Sequence, residues 1–426
     1  MRAGWLAAAL VAAPGVAGAQ ATPPPTVTLD DAIELALRVQ PALVQARGAV
    51  RTAQAGSREV TGAWLPTLSA NTSWSRSQVS TSFSNEGIPF TPPANSYRAG
   101  WNASIDLFDG FQRFAERRAA NAQLASADAG LTNQQFQVTL QVKQAFFNAL
   151  AADDLLRVSN TRIQRAEEQL KVAKEKLAAG SATRSDTLRS AVELGNARLQ
   201  LLTAQTTLAS TQAELGRLIG YEGPVQVVAD SGLFTLAPLD TAALRQELLR
   251  SAPAVLAAEA DARAAAASVA VARAQYFPTV RGSFSQNWTG TDPGALDDRW
   301  SMSLSLNWNL FNGFTREASV TRSAVSRETA QAQADDQRRQ VSAQLTQALA
   351  ALESSRAQIE IARTSLAASQ EDLRVVQERY RLGAATIVEV LTSQETLDQA
   401  EVDLIRARLD FLVARAQLEA LVGRAL

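Results

Sequence analysis

The segment "RWSMSLSLNWNL" at 299–310 alternates without a fault. Trp300, Met302, Leu304, Leu306, Trp308 and Leu310 fall on one face, and Ser301, Ser303, Ser305, Asn307 and Asn309 on the other. A period of two belongs to a strand with one apolar and one polar face. Trp101, Ala103, Ile105 and Leu107 repeat the pattern more weakly, as do Val280, Gly282, Phe284, Gln286 and Trp288. Four strands are therefore predicted, at about 66–82, 98–108, 278–290 and 299–310, joined in pairs by polar loops at 83–97 and 291–298.

Elsewhere the pattern is helical. Helices are predicted over about 29–62 and 240–275, each broken or kinked at a proline, Pro41 and Pro253. From Gly110 to about Ala179 there is no proline and only Gly130 interrupts, so a rod of about 100 Å is expected. Such a rod cannot bury itself in one globule and must lie beside others. Farther on, Leu397, Leu404, Phe411 and Leu418 recur every seventh residue, with Ala400, Ala407, Ala414 and Leu421 three behind. Leu194, Leu201, Leu208 and Leu215 do the same, with Ala197, Ala204, Thr211 and Leu218 behind. A seam held to this period predicts a left-handed coiled coil, and the small residues let its helices approach closely. A helix on a globular core would drift toward period 3.6 and carry a wider stripe.

The two seams belong to a twofold internal repeat. "KLAAGSATRSDTL" (176–188) aligns with the stretch holding "YRLGAATIVEVL" (380–391), so that Gly180 meets Gly383, Thr183 meets Thr386 and Asp186 meets Glu389. "LFDGFQR" (107–113) meets "LFNGFTR" (310–316), and "LGRLIG" (215–220) meets "LEALVG" (418–423), at the same spacing of 203 residues. Upstream, Pro41 meets Pro253 and "WLPTL" (64–68) meets "YFPTV" (276–280) at a spacing of 212. Repeat one is placed at about 29–223 and repeat two at about 239–426, and two halves built alike are expected.

Composition then narrows the chemistry. Among 426 residues there is neither cysteine nor histidine, which excludes thiolate and imidazole catalysis, disulfides and zinc sites built on those ligands. A net charge of −1 gives no reason to expect nucleic acid. Residues 1–19, MRAGWLAAALVAAPGVAGA, have one arginine, an apolar run and a small-x-small ending, and are expected to be a cleaved export signal. No cysteine follows for a lipid anchor. Beyond residue 19 no apolar run is long enough for a membrane-spanning helix, so an exported chain that crosses a membrane must do so as strands.

The strands carry that reading. They are long enough to cross a bilayer at a tilt, and Trp74, Trp101, Trp288, Trp300 and Trp308 lie in or beside them as membrane-interface aromatics. A soluble sandwich also alternates, but it explains neither feature. Four strands cannot close a barrel, and open edges are not tolerated in lipid. Three copies of the chain would supply twelve strands.

Gly180 and Gly383 suit the left-handed position after a helix, Thr183 and Thr386 are good N-caps, and Asp186 and Glu389 stand three residues on, as in a capping box. Each motif predicts a tight turn between antiparallel helices at the end of a rod. The turn motifs, the alternating strands and the LFDG/LFNG transitions together resemble the TolC family of outer-membrane efflux channels over essentially the whole mature chain. The resemblance implies an α+β membrane protein: a homotrimer with a twelve-stranded barrel, four strands per chain, in the outer membrane of a Gram-negative bacterium, and an antiparallel coiled-coil tunnel in the periplasm. It implies an exit duct of a tripartite efflux or type I secretion system, passive, with neither cofactor nor metal. Its partners would be a periplasmic adaptor and an inner-membrane pump of the RND or ABC type. The hairpin turns at Gly180, Thr183, Gly383 and Thr386 would meet the adaptor. Asp186 and Glu389 would ring the closed entrance, and Tyr380 matches the family's gate tyrosine. The family's gate arginine falls on Ala385 and a second acidic position on Thr392, which leaves Arg381 and Arg184 as the candidates for the latch role.

Two other classes compete. A surface-displayed trimeric coiled-coil scaffold or adhesin would not interrupt its helices with strands twice. An enzyme would draw on Asp153-Asp154 or Asp335-Asp336, yet both pairs lie in polar helical stretches and read as solvated faces. A periplasmic adaptor would need one hairpin and no tryptophan-bearing strands.

Overall fold

The structure, a computed structural model, describes residues 25–77, 83–85, 88–90, 95–229 and 250–426. The export signal expected at 1–19 and the first part of the helix expected from 240 lie outside the described residues.

After a short strand β1 (Thr26–Val27) come helices α1 (Leu29–Val39) and α2 (Pro41–Gly62). The expected proline break is a full separation: Pro41 opens α2, where its missing N–H costs nothing, and the Gln40 side-chain amide donates to Leu218 O at 2.5 Å. Strand β2 (Thr67–Arg76), a small hairpin of β3 (Phe83–Asn85) with β4 (Ile88–Phe90), and β5 (Asn95–Phe108) follow. The chain then runs into α3 (Gln112–Ala178), turns, and returns as α4 (Arg184–Ile219). A strand β6 (Gln226–Val227) pairs in parallel with β1. The second half runs α5 (Pro253–Ala274), β7 (Thr279–Asp292), β8 (Ala295–Asn307), α6 (Thr315–Arg381) and α7 (Ile387–Val422). Helices α3 and α6 each hold 67 residues, and α4 and α7 each hold 36. At 1.5 Å per residue the longer pair are rods of about 100 Å.

The sheet is antiparallel in the order β2-β5-β7-β8. Its register puts Trp101, Gln286 and Trp300 in one row and Ala103, Phe284 and Met302 in the next. The Trp101 and Phe284 rings lie 5.1 Å apart, and Phe284 stacks on Trp300 at 6.3 Å. The opposite face is hydroxylic: Ser283 meets Ser303 at 2.7 Å, Ser285 meets Ser301 at 2.8 Å, and Thr67 meets Ser104 at 2.8 Å. No described helix is long and apolar enough to cross a membrane.

Several strand boundaries differ from expectation, and the loop expected at 83–97 holds the β3–β4 hairpin and the first residues of β5, which starts at Asn95. β2 ends at Arg76, and 78–82 lie outside the described residues. The loop expected at 291–298 shrinks to Pro293-Gly294 because β7 runs to Asp292 and β8 restarts at Ala295. β8 stops at Asn307, short of Leu310, and the last two carbonyls of the expected strand turn to a side chain instead: Arg316 donates to Asn309 O at 2.7 Å and to Leu310 O at 3.1 Å. Trp308 accordingly leaves the ladder, and its indole N–H donates to Tyr276 O at 3.2 Å.

Both sheet-to-helix corners use the same backbone. Gly110 and Phe111 have φ 68° and 67°, and Gly313 and Phe314 have 67° and 65°. Arg113 then covers Trp64 at 4.5 Å, and Arg316 covers Tyr276 at 4.7 Å. The corners differ in surroundings. A Cβ on Gly110 would lie 2.6 Å from the Phe277 Cβ, whereas one on Gly313 would meet nothing within 4 Å.

The main core lies where α1, α2 and the two-stranded β1–β6 sheet join the rods, around Leu43, Val142, Phe146, Leu215, Leu345, Phe411 and Leu418. Along α7, Leu397, Leu404, Phe411 and Leu418 are all buried, as the seven-residue period predicts. In α4 the buried line is narrower, and Leu188, Val192, Leu199 and Leu202 are left exposed. The reason is position: α7 packs on both α6 and α3, whereas α4 packs chiefly on α3.

Candidate functional site: the paired hairpin turns

Each rod ends in a glycine with positive φ, 71° at Gly180 and 77° at Gly383, which no Cβ-bearing residue adopts cheaply. The next helix starts on a complete capping box in both hairpins. Thr183 N donates to Asp186 Oδ2 at 2.8 Å, and Asp186 N to Thr183 Oγ1 at 3.3 Å. Thr386 N donates to Glu389 Oε1 at 3.0 Å, and Glu389 N to Thr386 Oγ1 at 3.3 Å. The Thr386 backbone N–H, with its hydroxyl second, holds the Glu389 carboxyl below the usual glutamate range. A depressed pKa means that this cap is in place above the unfolded-state value and is lost as pH falls through the folded one.

Tyr380, on the last turn of α6, is only 6% exposed among Leu373, Val376, Ile387, Val390 and Leu397. Ala385 packs against that cluster, so the position expected for an arginine is apolar. The Tyr380 hydroxyl has no hydrogen-bond partner among the described residues. Burial, with the Asp186 carboxylate second, pushes the phenol above its usual range and keeps it protonated.

The cation that meets Tyr380 is one that the pattern did not single out. Lys176, on the last turn of α3, places its ammonium 4.3 Å from the centre of the Tyr380 ring and donates to the Tyr380 carbonyl. The two candidates named from sequence do something else. Arg381 pairs with Glu378 of its own helix at 3.0 Å, and Arg184 is exposed, with no ion pair or hydrogen bond among the described residues. Arg379 instead spans the second turn, donating to Ala384 O at 3.1 Å with its guanidinium 4.0 Å from Glu389. A lysine four residues before a helix-ending glycine carries no signal in the sequence, because its partner is 204 residues away.

The carboxylate pairs that an enzyme would need are spent on neighbouring arginines. Asp153 and Asp154 both face Arg157, Asp335 pairs with Arg338 at 3.0 Å, and Asp336 with Arg339 at 3.1 Å. The tryptophans sit at more than one level. Trp74 lies opposite Tyr97 and Trp288 opposite Asp298 near the strand turns, Trp101 and Trp300 share the row of Gln286, and Trp308 lies at the helix corner.

Comparisons with known proteins agree with this architecture. The profile described as "Outer membrane efflux protein" matches residues 32–221 and 244–424. The chain is 30% identical over 325 residues to protein CyaE of Bordetella pertussis, covering 72% of this chain and 67% of that one. It is 27% identical over 403 residues to the pyoverdine export outer membrane protein OpmQ of Pseudomonas aeruginosa, covering 93% and 83%. Among solved structures, the outer membrane protein VceC of Vibrio cholerae superposes with a TM-score of 0.79 at 20% identity, covering 93% of this chain and 96% of that one. The chain thus belongs to the outer membrane efflux protein family, whose members are passive outer-membrane channels and not enzymes.

Proposed function

We propose that three copies of this chain form one exit duct: a twelve-stranded barrel in the outer membrane above a helical tunnel that reaches through the periplasm. The observation that carries this reading is the sheet itself. It has an aromatic face and a hydroxyl face, and among the described residues its outer strands β2 and β8 each have one unpaired edge. An unpaired edge is not stable in lipid, so β8 of one copy would pair with β2 of the next. The corners support the same arrangement. Phe111 packs on Phe277 at 5.8 Å within the chain, and by the repeat Phe314 would pack on the counterpart of Phe277, Leu65 of a neighbouring copy. The exposed apolar line of α4 would likewise lie on the neighbour's α6, as α7 lies on α3 here.

The chain has no cysteine, so a Leu65→Cys, Phe314→Cys variant reports on this directly. A short bis-thiol reagent is expected to give bands up to three linked chains on a denaturing gel. A series that stops at two, or runs past three, overturns the assembly.

At the turns, Asp186 and Glu389 of three copies would place six carboxylates around the periplasmic entrance, with Lys176 on Tyr380 holding the two hairpins of each chain together. The turns would also be the surface offered to a periplasmic adaptor, itself joined to an inner-membrane pump. Lys176→Met and Tyr380→Ala are each expected to raise the leak conductance of the purified channel in a planar bilayer. Tyr380→Phe is expected to leave it near wild type, because the ring and the carbonyl carry the contact and the hydroxyl has no partner. A leak in Tyr380→Phe as large as in Tyr380→Ala would assign the latch to the hydroxyl instead.

A further inference from the structure

Above the turns, the two hairpins of the chain are joined a second time, by buried charge. Arg162 and Arg165 project from α3 toward Asp398 and Glu401 on α7 and Glu193 on α4. Arg165 is bidentate on Glu401 at 2.9 and 2.7 Å and reaches Asp398 at 2.7 Å. Arg162 stands 2.8 Å from the other Asp398 oxygen and donates to Glu193 at 2.7 Å. Asp398, shared by both guanidiniums, is only 4% exposed. The cluster therefore ties three helices, and both hairpins, at one level.

The repeat shows what this cluster is not. At the spacing of 203 residues the counterparts of Arg162 and Arg165 are Ser365 and Ala368, and those of Asp398 and Glu401 are Gly195 and Arg198. Arg198 is already turned to Glu167 on the surface, at 3.5 Å. The seam between α3 and α7 is thus locked by charge, while at the counterpart positions on α6 and α4 three residues are small and uncharged and the one charge, Arg198, is turned to Glu167 of its own chain. Coiled-coil packing alone needs no such difference. A buried ion pair resists separation strongly, because parting it strands charge away from water, whereas an apolar seam of small residues slides at lower cost.

From the turns to this level is about 20 Å along the helices. We infer that the Arg162–Arg165–Asp398–Glu401 cluster is the fixed upper end of the gate: it pins the two hairpins of each chain together, so that opening moves only the segment below it. The seams between chains, where the cluster has no counterpart, are the ones that yield. The inference rests on the exit-duct reading.

The test is single-channel recording of the purified full-length protein. In Asp398→Asn with Glu401→Gln, shape is kept and the pins are lost. Leak is expected to rise about tenfold beyond that of Lys176→Met, since a longer segment is then free to swing. Arg165→Glu and Glu401→Arg should each raise leak, and the two combined should restore it. If the neutral variant assembles poorly, the converse variant decides. Gly195→Asp with Ala368→Arg leaves the native cluster intact and installs charge at the yielding seam, and it should lower leak below wild type. A neutral variant that melts earlier but leaks no more would make the cluster a structural clip and overturn the inference. So would a converse variant that conducts like wild type. A wild-type protein that folds, inserts and passes no current would overturn the duct itself, a result that the variants could not mimic.

Discussion

Removing the charge of Asp186 and Glu389 together is expected to cut the cation preference of the channel roughly tenfold, toward indifference between potassium and chloride. The two carboxylates carry two jobs at once. Each closes a capping box with a threonine three residues earlier, and each would face the entrance from the first turn of its helix. Alanine at both positions removes cap and charge together, so a loss of selectivity in that variant could come from a frayed helix start. Asp186→Asn with Glu389→Gln separates the jobs. Amides at this position of a capping box still accept from the N-cap backbone N–H but carry no charge. The amide pair is expected to lose selectivity with only a small drop in thermal midpoint, and the alanine pair to lose selectivity with a much larger one. Selectivity unchanged in the amide pair would leave these residues as helix caps alone.

The second large effect lies midway along the rods. Phe146→Ala is expected to destabilise the chain by about 3–5 kcal/mol. Phe146 is fully buried, edge-on to Phe147 at 6.1 Å, in the core shared with Leu43, Val142 and Leu215. The walls of that site are long helices anchored far from it, so they cannot collapse into the cavity. The loss is a large share of the 5–15 kcal/mol that ordinary domains possess. Leu304→Ala, on the apolar face of β8, serves as the contrast. It is exposed in the chain, and in detergent its loss should change the stability by less than about 0.5 kcal/mol. A Phe146→Ala protein as stable as Leu304→Ala would show that this core does not hold the fold together.

Most of the architecture could be read from periodicity, because both of its textures are periodic. The strands are period-two stretches with serine on one side, and the rods show themselves by a lack of proline and a seven-residue seam. Where a strand stops depends on contacts that periodicity does not register, as beyond Asn307, where Arg316 takes the Asn309 and Leu310 carbonyls. The turns were legible down to their caps because glycine, threonine and a carboxylate at fixed spacing act locally. The contacts between hairpins were not. A heptad identifies the partner along one seam, but α7 has a second partner, and the residues it turns to α3 include Asp398, which in isolation belongs on a solvated face. Lys176 was hidden for the same reason: its meaning depends on a ring 204 residues away.

The equal lengths of the two long helices, and of the two shorter ones, make the chain a ruler. Both turns must end level if three copies are to present one flat mouth, and the distance from membrane to mouth is set by residue count alone. Losing one heptad from a single rod would shift one turn by about 10 Å and put every seam beyond it out of step. Shortening the reach without breaking the mouth requires the same heptad to leave all four helices together. Changes in the depth this protein can span are therefore quantised, and they must arrive four deletions at a time.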